Sequence, residues 1–228
     1  TPDDLPEMTV NRLDQRKSLL TQLDTVFAES SRSPAVTTMD QVKQKAFSIL
    51  TSGRTRDAFN LEQESSGTRD RYGKNMVGSS MLIARRLVEA GVPFVSVHQE
   101  IFDHYGHAYD MHQNNFSMLK DFNLPLLDQV IPALLHNLEQ SGLLDSTLVV
   151  VMGEMGRTPK INAKSGRDHW GSVFSFVMAG AGISGGQVYG SSDSQGAFPK
   201  TNRVEPGHMT ATIFHLLGLD HRGTFTDP

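Results

Sequence analysis

The loop after the predicted strand at residues 92–97 contains residue types that bind divalent metal ions. Asp103 stands four residues before His107 in this loop, and Asp110 and His112 follow. Carboxylate oxygens and imidazole nitrogens are the expected ligands of zinc or a similar ion in a chain that has no cysteine. A hydrated surface loop has the same composition, so the pattern leaves both interpretations open.

An acidic residue also follows the most apolar run of the sequence. Glu154 comes two residues after the run 147–152. A carboxylate at the end of a buried strand is costly unless it is paired or bound to a cation. Its alternative role is a structural ion pair with Arg157.

A third candidate pair, Asp168 and His169, precedes the apolar run 173–179. An aspartate beside a histidine can orient the imidazole or bind a metal ion itself. The alternative is a turn that leads into a hydrophobic anchor at Trp170. Acidic and histidine residues from three loops are more typical of a catalytic divalent-metal site than of a structural zinc site. The sequence therefore predicts that four side chains share one cleft: Asp103, His107, Glu154 and His169.

The elements that must position these residues alternate between helices and strands from residue 78 onward. The spacing of apolar residues predicts helices at 79–90, 114–141 and 210–217, and strands at 92–97, 147–152 and 173–179. Long connections between apolar strands favour a mostly parallel sheet covered by helices, with ligands bound at the carboxyl ends of the strands. Pro125 and Pro132 are expected to break or kink the second helix.

The first third of the chain is predicted to be a helical arm and linker over residues 1–77, ahead of an α/β domain over 78–228. Apolar residues recur at helical spacing over 6–30 and 38–51. Residues 52–77 are polar and rich in glycine, which predicts a loop with short helical turns.

Composition excludes several classes of protein. The formal net charge is −4 and the isoelectric point is near 6.1, so the chain has no basic footprint for nucleic acid. No apolar run approaches the ~18 residues that a membrane span needs. The sequence does not indicate an oligomeric state.

Several strings of the sequence together resemble a bacterial family catalogued as domain of unknown function 1501 and often called sulfatase-like. They are residues 71–73, 84–92, 153–159, 166–170, 211–213 and 216–220. The resemblance covers most of the chain. It implies a branch of the alkaline-phosphatase superfamily, with a doubly wound, mostly parallel α/β sheet that has helices on both faces.

The resemblance also implies a set of ligands for two divalent metal ions. Zinc is the first expectation, and calcium, magnesium or manganese are alternatives. The first ion would be held by Asp103, His107 and His169. The second would be held by Glu154; because Met155 stands where that superfamily usually has a histidine, Asp168 is expected to complete the set.

The resemblance implies a metal-dependent hydrolase of small-molecule phosphate or sulfate esters, in which Arg157 would bind the anionic group of the ester. Family members tend to be longer, and the superfamily's nucleophile follows a first strand that has no counterpart before residue 92. We therefore expect this chain to be the C-terminal half of a longer protein, with an incomplete active site. The alternative is a non-catalytic binding or cell-envelope protein. Export signals in the family favour the periplasm or the cell surface.

Overall fold

The structure, a computed structural model, describes residue 18, residues 43–46 and 48, and residues 53–99 and 109–224. The chain divides into two compact units, residues 1–70 with 74–97 and residues 71–73 with 98–228. The predicted helices at 6–30 and 38–51 lie mostly outside the described residues. Ser18, residues 43–46 and residue 48 fall within those ranges and are helical.

The described part of the first unit is helical. Its elements are α1 (Gly53–Ala58), a 3-10 turn (Leu61–Gln63), α2 (Ser66–Tyr72), whose last two residues belong to the second unit, and α3 (Met76–Glu89). The Asn75 side chain caps α3 by accepting a hydrogen bond from the backbone N–H of Gly78 at 2.8 Å. The helix ends before Gly91, whose φ of 91° lies in the left-handed region. The predicted helix at 79–90 and the short helical turns within 52–77 are both confirmed.

Two arginines of α3 hold the first unit together. Arg85 and Arg86 both bind the carboxylate of Glu64, and their side chains are only 11% and 12% exposed. Arg86 also donates to the backbone oxygens of Asp57 at 2.6 Å and Ala58 at 3.0 Å. These two arginines belong to one of the strings that carry the family resemblance, and their contacts indicate a structural role.

The predicted helix at 114–141 consists of three consecutive segments. They are α4 (Asn115–Met118), a π-helical turn (Leu119–Asn123) and α5 (Leu124–Gln140). Pro125 lacks a backbone N–H, so the last N–H before it, that of Leu124, reaches back five residues to Leu119. Pro132 lies inside α5, and Gly142, with φ of 70°, follows its end. Buried residues of α5 form much of the described core: Val130, Ala133, Leu134 and Leu138.

The strands of the second unit form three antiparallel pairs. Strand β1 (Val149–Val151) pairs with β4 (Val177–Ala179), and β2 (Gly156–Arg157) pairs with β3 (His169–Trp170). Strand β5 (Ser191–Ser192) pairs with β6 (Pro199–Thr201). The fold class is therefore mixed α/β, as the sequence indicates.

The predicted direction of pairing is wrong for the two apolar strands. Strands form within both predicted ranges, 147–152 and 173–179, but β1 and β4 run antiparallel. The connection between them contains the β2–β3 pair and no helix, whereas a parallel pair needs a long crossover. Residues 92–97 form no strand, and Pro93 within them has no N–H to donate. No doubly wound parallel sheet is present among residues 53–99 and 109–224.

The last helix, α6 (Pro206–Leu216), begins four residues before its predicted start. Glu205 and His208 form a reciprocal capping box at its N-terminus, and Gly218, with φ of 73°, follows its end. Within the described ranges, no helix combines the length and the apolar composition needed to cross a membrane.

Candidate metal centre

The short segment at residues 109–112, which precedes α4, presents two polar side chains to solvent. Met111 is 5% exposed, whereas its neighbours Asp110 and His112 are exposed. The buried Asn123 of the π-helical turn holds this segment, because its amide contacts the Met111 sulfur at 4.0 Å and its backbone oxygen accepts from the Tyr109 hydroxyl at 3.4 Å. Burial raises the pKa of Tyr109. With Met111 turned inward, Asp110 and His112 lie on the same side of the segment.

The β2–β3 pair supplies two more residues of the site. Arg157 is the cross-strand partner of His169, and Gly156 is the partner of Trp170. A Cβ atom on Gly156 would lie 1.9 Å from the backbone oxygen of Val173, so only glycine fits there. The Trp170 indole donates to the backbone oxygen of Ala197 at 2.7 Å, which fixes the β3 side of the pair.

The loop between β2 and β3 is bound to the segment that carries His112. The backbone N–H of Arg167 donates to the Met111 oxygen at 3.1 Å. Gly166 lies directly against the main chain of His112, since a Cβ atom there would be 2.0 Å from the His112 carbonyl carbon and oxygen. Thr158 and Asp168 close the base of the loop through two hydrogen bonds, at 2.9 and 3.1 Å.

These elements bring three ligand-type atoms together. His169 Nε2 lies 2.9 Å from Asp110 Oδ1, and His112 Nε2 lies 3.2 Å from each of them. The ligands of a tetrahedral zinc ion, bound at about 2.0–2.1 Å, are about 3.3–3.4 Å apart. The observed separations are close to that spacing, and each side chain is 45–50% exposed. We call these three residues, Asp110, His112 and His169, the Asp/His triad.

The second ring nitrogen of His112 has its own partner. His112 Nδ1 lies 2.8 Å from Asp168 Oδ1. In neutral His112, the Nδ1–H donates to Asp168, which leaves the lone pair of Nε2 facing the other two atoms of the triad. The hydrogen bonds from His112 and, second, from Asn162 lower the pKa of Asp168.

Arg157 also contacts the triad. Its Nη2 lies 2.6 Å from Asp110 Oδ1. The hydrogen bonds from His169 and then from Arg157 lower the pKa of Asp110 to about 2. The other terminal nitrogen of Arg157, Nη1, is buried and has no hydrogen-bond partner among the described residues. Asp110 therefore stays ionised down to strongly acidic pH and carries a guanidinium on the oxygen that faces the two imidazoles.

The sequence-predicted site residues have different positions in this arrangement. His169 belongs to the triad, Asp168 contacts the far side of the His112 ring, and Arg157 binds Asp110. Glu154 is exposed and makes no hydrogen bond or ion pair with a described residue, so the alternative Glu154–Arg157 pair does not form. Asp103 and His107 lie outside the described residues, and their predicted convergence with Glu154 and His169 stays a prediction.

Sequence reasoning did not select Asp110 and His112 as ligands, although both stand in the histidine-rich loop that it singled out. The usable signal is the residue between them. An apolar side chain flanked by an aspartate and a histidine favours a local alternation in which Met111 turns inward and both polar groups face outward.

Together the fold and the triad define a mixed α/β protein with a solvent-accessible candidate site for a divalent metal ion. The chain belongs to the family described as Protein of unknown function (DUF1501), whose model matches residues 3–228. This confirms the family that the sequence strings resemble. No curated protein and no solved structure matches the chain.

Proposed function

We propose that the chain binds a divalent metal ion through the Asp/His triad and acts as a metal-dependent hydrolase of phosphate or sulfate esters. The observation that carries the proposal is the mutual approach of Asp110 Oδ1, His112 Nε2 and His169 Nε2 to within 2.9–3.2 Å. Two imidazoles and one carboxylate are a typical ligand set of a catalytic zinc ion, which keeps at least one position for water or substrate. A distant relation to the alkaline-phosphatase superfamily is part of the proposal.

Zinc is the metal that we propose, because imidazole nitrogen suits zinc and its neighbours better than it suits magnesium or calcium. The exposure of all three side chains supports a catalytic role over a structural one, since an ester must reach the bound ion. A bound divalent ion would polarise an ester oxygen and lower the pKa of bound water.

Arg157 supports the choice of an anionic substrate. Its guanidinium lies beside the triad, and its side chain is 21% exposed. A guanidinium matches the paired oxygens of phosphate and sulfate. We propose that Arg157 contacts the anionic group of the ester.

One observation favours a second candidate function, a non-catalytic binding or cell-envelope protein. The Arg157 ion pair already neutralises Asp110, and the Asp168 hydrogen bond already holds His112. Asp110 and His112 therefore both have partners without a metal ion. A chain that kept the fold but lost the chemistry would retain such partners.

The first experiment measures metal uptake. Purified protein is stripped with a chelator and titrated with Zn²⁺ against a chromophoric competitor, with four variants in parallel: His112→Ala, His169→Ala, His107→Ala and Glu154→Gln. Site formation by the triad predicts that the first two lose at least about tenfold in affinity and that the last two bind as the wild type does. Loss on His107→Ala with no change on His112→Ala would instead support the ligand set that the family resemblance implies.

The second experiment measures hydrolysis of aryl phosphate and aryl sulfate esters by the zinc-loaded protein. The hydrolase is supported if the wild type loses turnover when its metal is removed and regains it when Zn²⁺ is added. His112→Ala should show no turnover with or without added Zn²⁺. Stoichiometric zinc binding without turnover of either ester supports the non-catalytic alternative. No zinc uptake by the wild-type chain would overturn the metal site itself.

A further inference from the structure

We propose that Asn162 is a positioning residue that holds His112 in the orientation and tautomer needed to bind a metal ion. The inference rests on the proposed metal site and adds a residue that does not contact the ion. Asn162 lies in the loop between β2 and β3, is half-buried, and is not a residue type that typically binds zinc. Its contacts identify the role.

The orientation of the Asn162 side-chain amide is determined by its neighbours. One end accepts hydrogen bonds from the backbone N–H groups of Lys164 and Gly166, both at 2.9 Å, so this end must be the oxygen Oδ1. The nitrogen Nδ2 must then be at the other end. Both of its neighbours there are acceptors, which agrees with this assignment.

The two hydrogens of Asn162 Nδ2 connect to His112 by two routes. One is donated to the backbone oxygen of His112, at 3.0 Å. The other is donated to Asp168 Oδ1, at 3.1 Å, and this same oxygen accepts from His112 Nδ1, at 2.8 Å. Asn162 therefore holds the main chain of His112 and also the carboxylate that fixes its ring. All four hydrogen-bonding positions of the amide are used, so any rotation of it breaks at least one contact.

The consequence for His112 concerns Nε2, the ring nitrogen that faces Asp110 and His169. When Asp168 accepts from Nδ1–H, the Nε2 lone pair is available for a metal ion. Without Asn162, the Asp168 carboxylate loses one of the two hydrogen bonds that hold Oδ1 in place. The ring can then turn or exchange its proton to Nε2, and both changes remove the lone pair from the site.

A second turn in the same unit shows that this kind of turn does not itself require an asparagine. Asp193 Oδ1 accepts from the backbone N–H groups of Gln195 at 3.1 Å and Ala197 at 2.8 Å, at the same two and four residues of separation. An aspartate thus supports the kind of turn that Asn162 closes. Asp193 also provides a control, because its turn reaches the site only indirectly, through the Trp170–Ala197 hydrogen bond, and serine can still accept the turn hydrogen bonds.

The experiment compares Asn162→Ser, Asn162→Asp and the control Asp193→Ser in the full chain. Serine and aspartate at 162 can still accept the turn hydrogen bonds, but neither can donate both Nδ2 bonds. Zn²⁺ affinity is measured by competition titration. We expect both variants at 162 to lose about 10-fold or more, the range observed when outer partners of metal-bound histidines are removed. The added charge in Asn162→Asp attracts a cation but also repels the Asp168 carboxylate, so Asn162→Ser, which adds no charge, is the deciding variant. Asp193→Ser should bind zinc as the wild type does.

A second readout needs no metal. In protein labelled with ¹⁵N-histidine, the metal-free wild type should show the His112 ring as the Nδ1–H tautomer, with the signal assigned by its absence in His112→Gln. Asn162→Ser should shift this signal toward the Nε2–H tautomer, and Asp193→Ser should not.

The outcomes separate this inference from the proposed function. If Asn162→Ser leaves either the zinc affinity or the His112 tautomer unchanged, the role of Asn162 is overturned. Full zinc affinity in Asn162→Asp also overturns it, because the turn alone then suffices. If the wild-type chain takes up no zinc, the proposed metal site fails, and the tautomer measurement still decides whether Asn162 positions His112.

Discussion

Arg157 and His169 lie opposite each other in the β2–β3 pair, and both contact the same oxygen of Asp110, at 2.6 Å and 2.9 Å respectively. A permanent cation and a potential metal ligand therefore share one carboxylate oxygen. The register of two very short strands is enough to produce this arrangement, since cross-strand partners lie side by side. The charge of Asp110 consequently affects both the stability of the site and its affinity for cations.

The first prediction concerns acid stability. The hydrogen bonds from His169 and Arg157 hold the pKa of Asp110 at about 2, below the ordinary aspartate value of ~3.9. A lowered folded-state pKa stabilises the fold above the unfolded-state value, and this stabilisation is lost as the pH falls through the folded-state value. Asp110→Asn should therefore lower stability at neutral pH and flatten the decline between about pH 4 and 2. Thermal unfolding recorded from neutral pH down to about pH 2 measures both effects.

A matched control for that prediction is Asp145→Asn, which removes an exposed aspartate of the same unit. Its unfolding curve should keep the wild-type decline between pH 4 and 2. If Asp110→Asn and Asp145→Asn have indistinguishable pH profiles, the Asp110 contacts contribute nothing to acid stability.

The second prediction concerns the close approach of Gly166 to the main chain of His112. An alanine Cβ atom there would lie 2.0 Å from the carbonyl group of His112, and backbone cannot give way as a flexible side chain can. Gly166→Ala should destabilise the protein by about 1–3 kcal/mol, the cost typical of overpacking. It should also displace His112 and weaken zinc binding. Denaturant unfolding and zinc titration measure the two effects.

Gly171→Ala is the control for this substitution, because no atom lies within 4 Å of a Cβ atom at that position. It should change stability little and leave zinc affinity unaltered. Equal effects of alanine at 166 and 171 would contradict the contact as the cause.

The sequence predicts some parts of this molecule well because local signals determine them. Gly91 gives the end of α3 to within one residue, whereas the predicted start at 79 lies three residues after the observed one. The apolar runs identify where β1 and β4 form, but an apolar run shows only that a strand is buried, not the direction of its partner. Direction depends here on the connection that contains the β2–β3 pair, which has too few apolar residues to be recognised.

The site is predictable to a similar extent. His169 and Asp168 follow from their position before the apolar run 173–179, whereas the choice of partners depends on tertiary contacts. Gly166 and the Asn162 side chain bring the His112 segment against the β2–β3 loop through contacts with the main chain of His112, which leave no recognisable pattern in the sequence. For this reason Asp110 and His112 could be located in a histidine-rich loop but not selected as ligands.

The third prediction concerns the pH dependence of zinc binding. Asp110, with a pKa of about 2, stays ionised throughout the range in which imidazoles gain protons. Loss of zinc on acidification must therefore come from protonation of His112 and His169. At acidic pH, the logarithm of the association constant should fall by up to about two per pH unit, one for each imidazole. In His169→Ala, any residual binding should show a slope nearer one. A wild-type slope near zero between pH 5 and 7 would exclude binding through the imidazoles.

The last prediction concerns competition for Asp110. Arg157 Nη2 occupies the oxygen that faces the imidazoles, and its charge repels a second cation. Arg157→Gln removes both effects, so zinc affinity should rise severalfold. The same change removes the proposed contact with the ester anion, so KM for aryl phosphate or sulfate should also rise. Arg203→Gln, which breaks only an exposed ion pair with Glu205, should alter neither value. Competition titration and steady-state kinetics measure the two effects separately. Weaker zinc binding in Arg157→Gln would show that Arg157 supports the Asp110 ligand instead of competing for it.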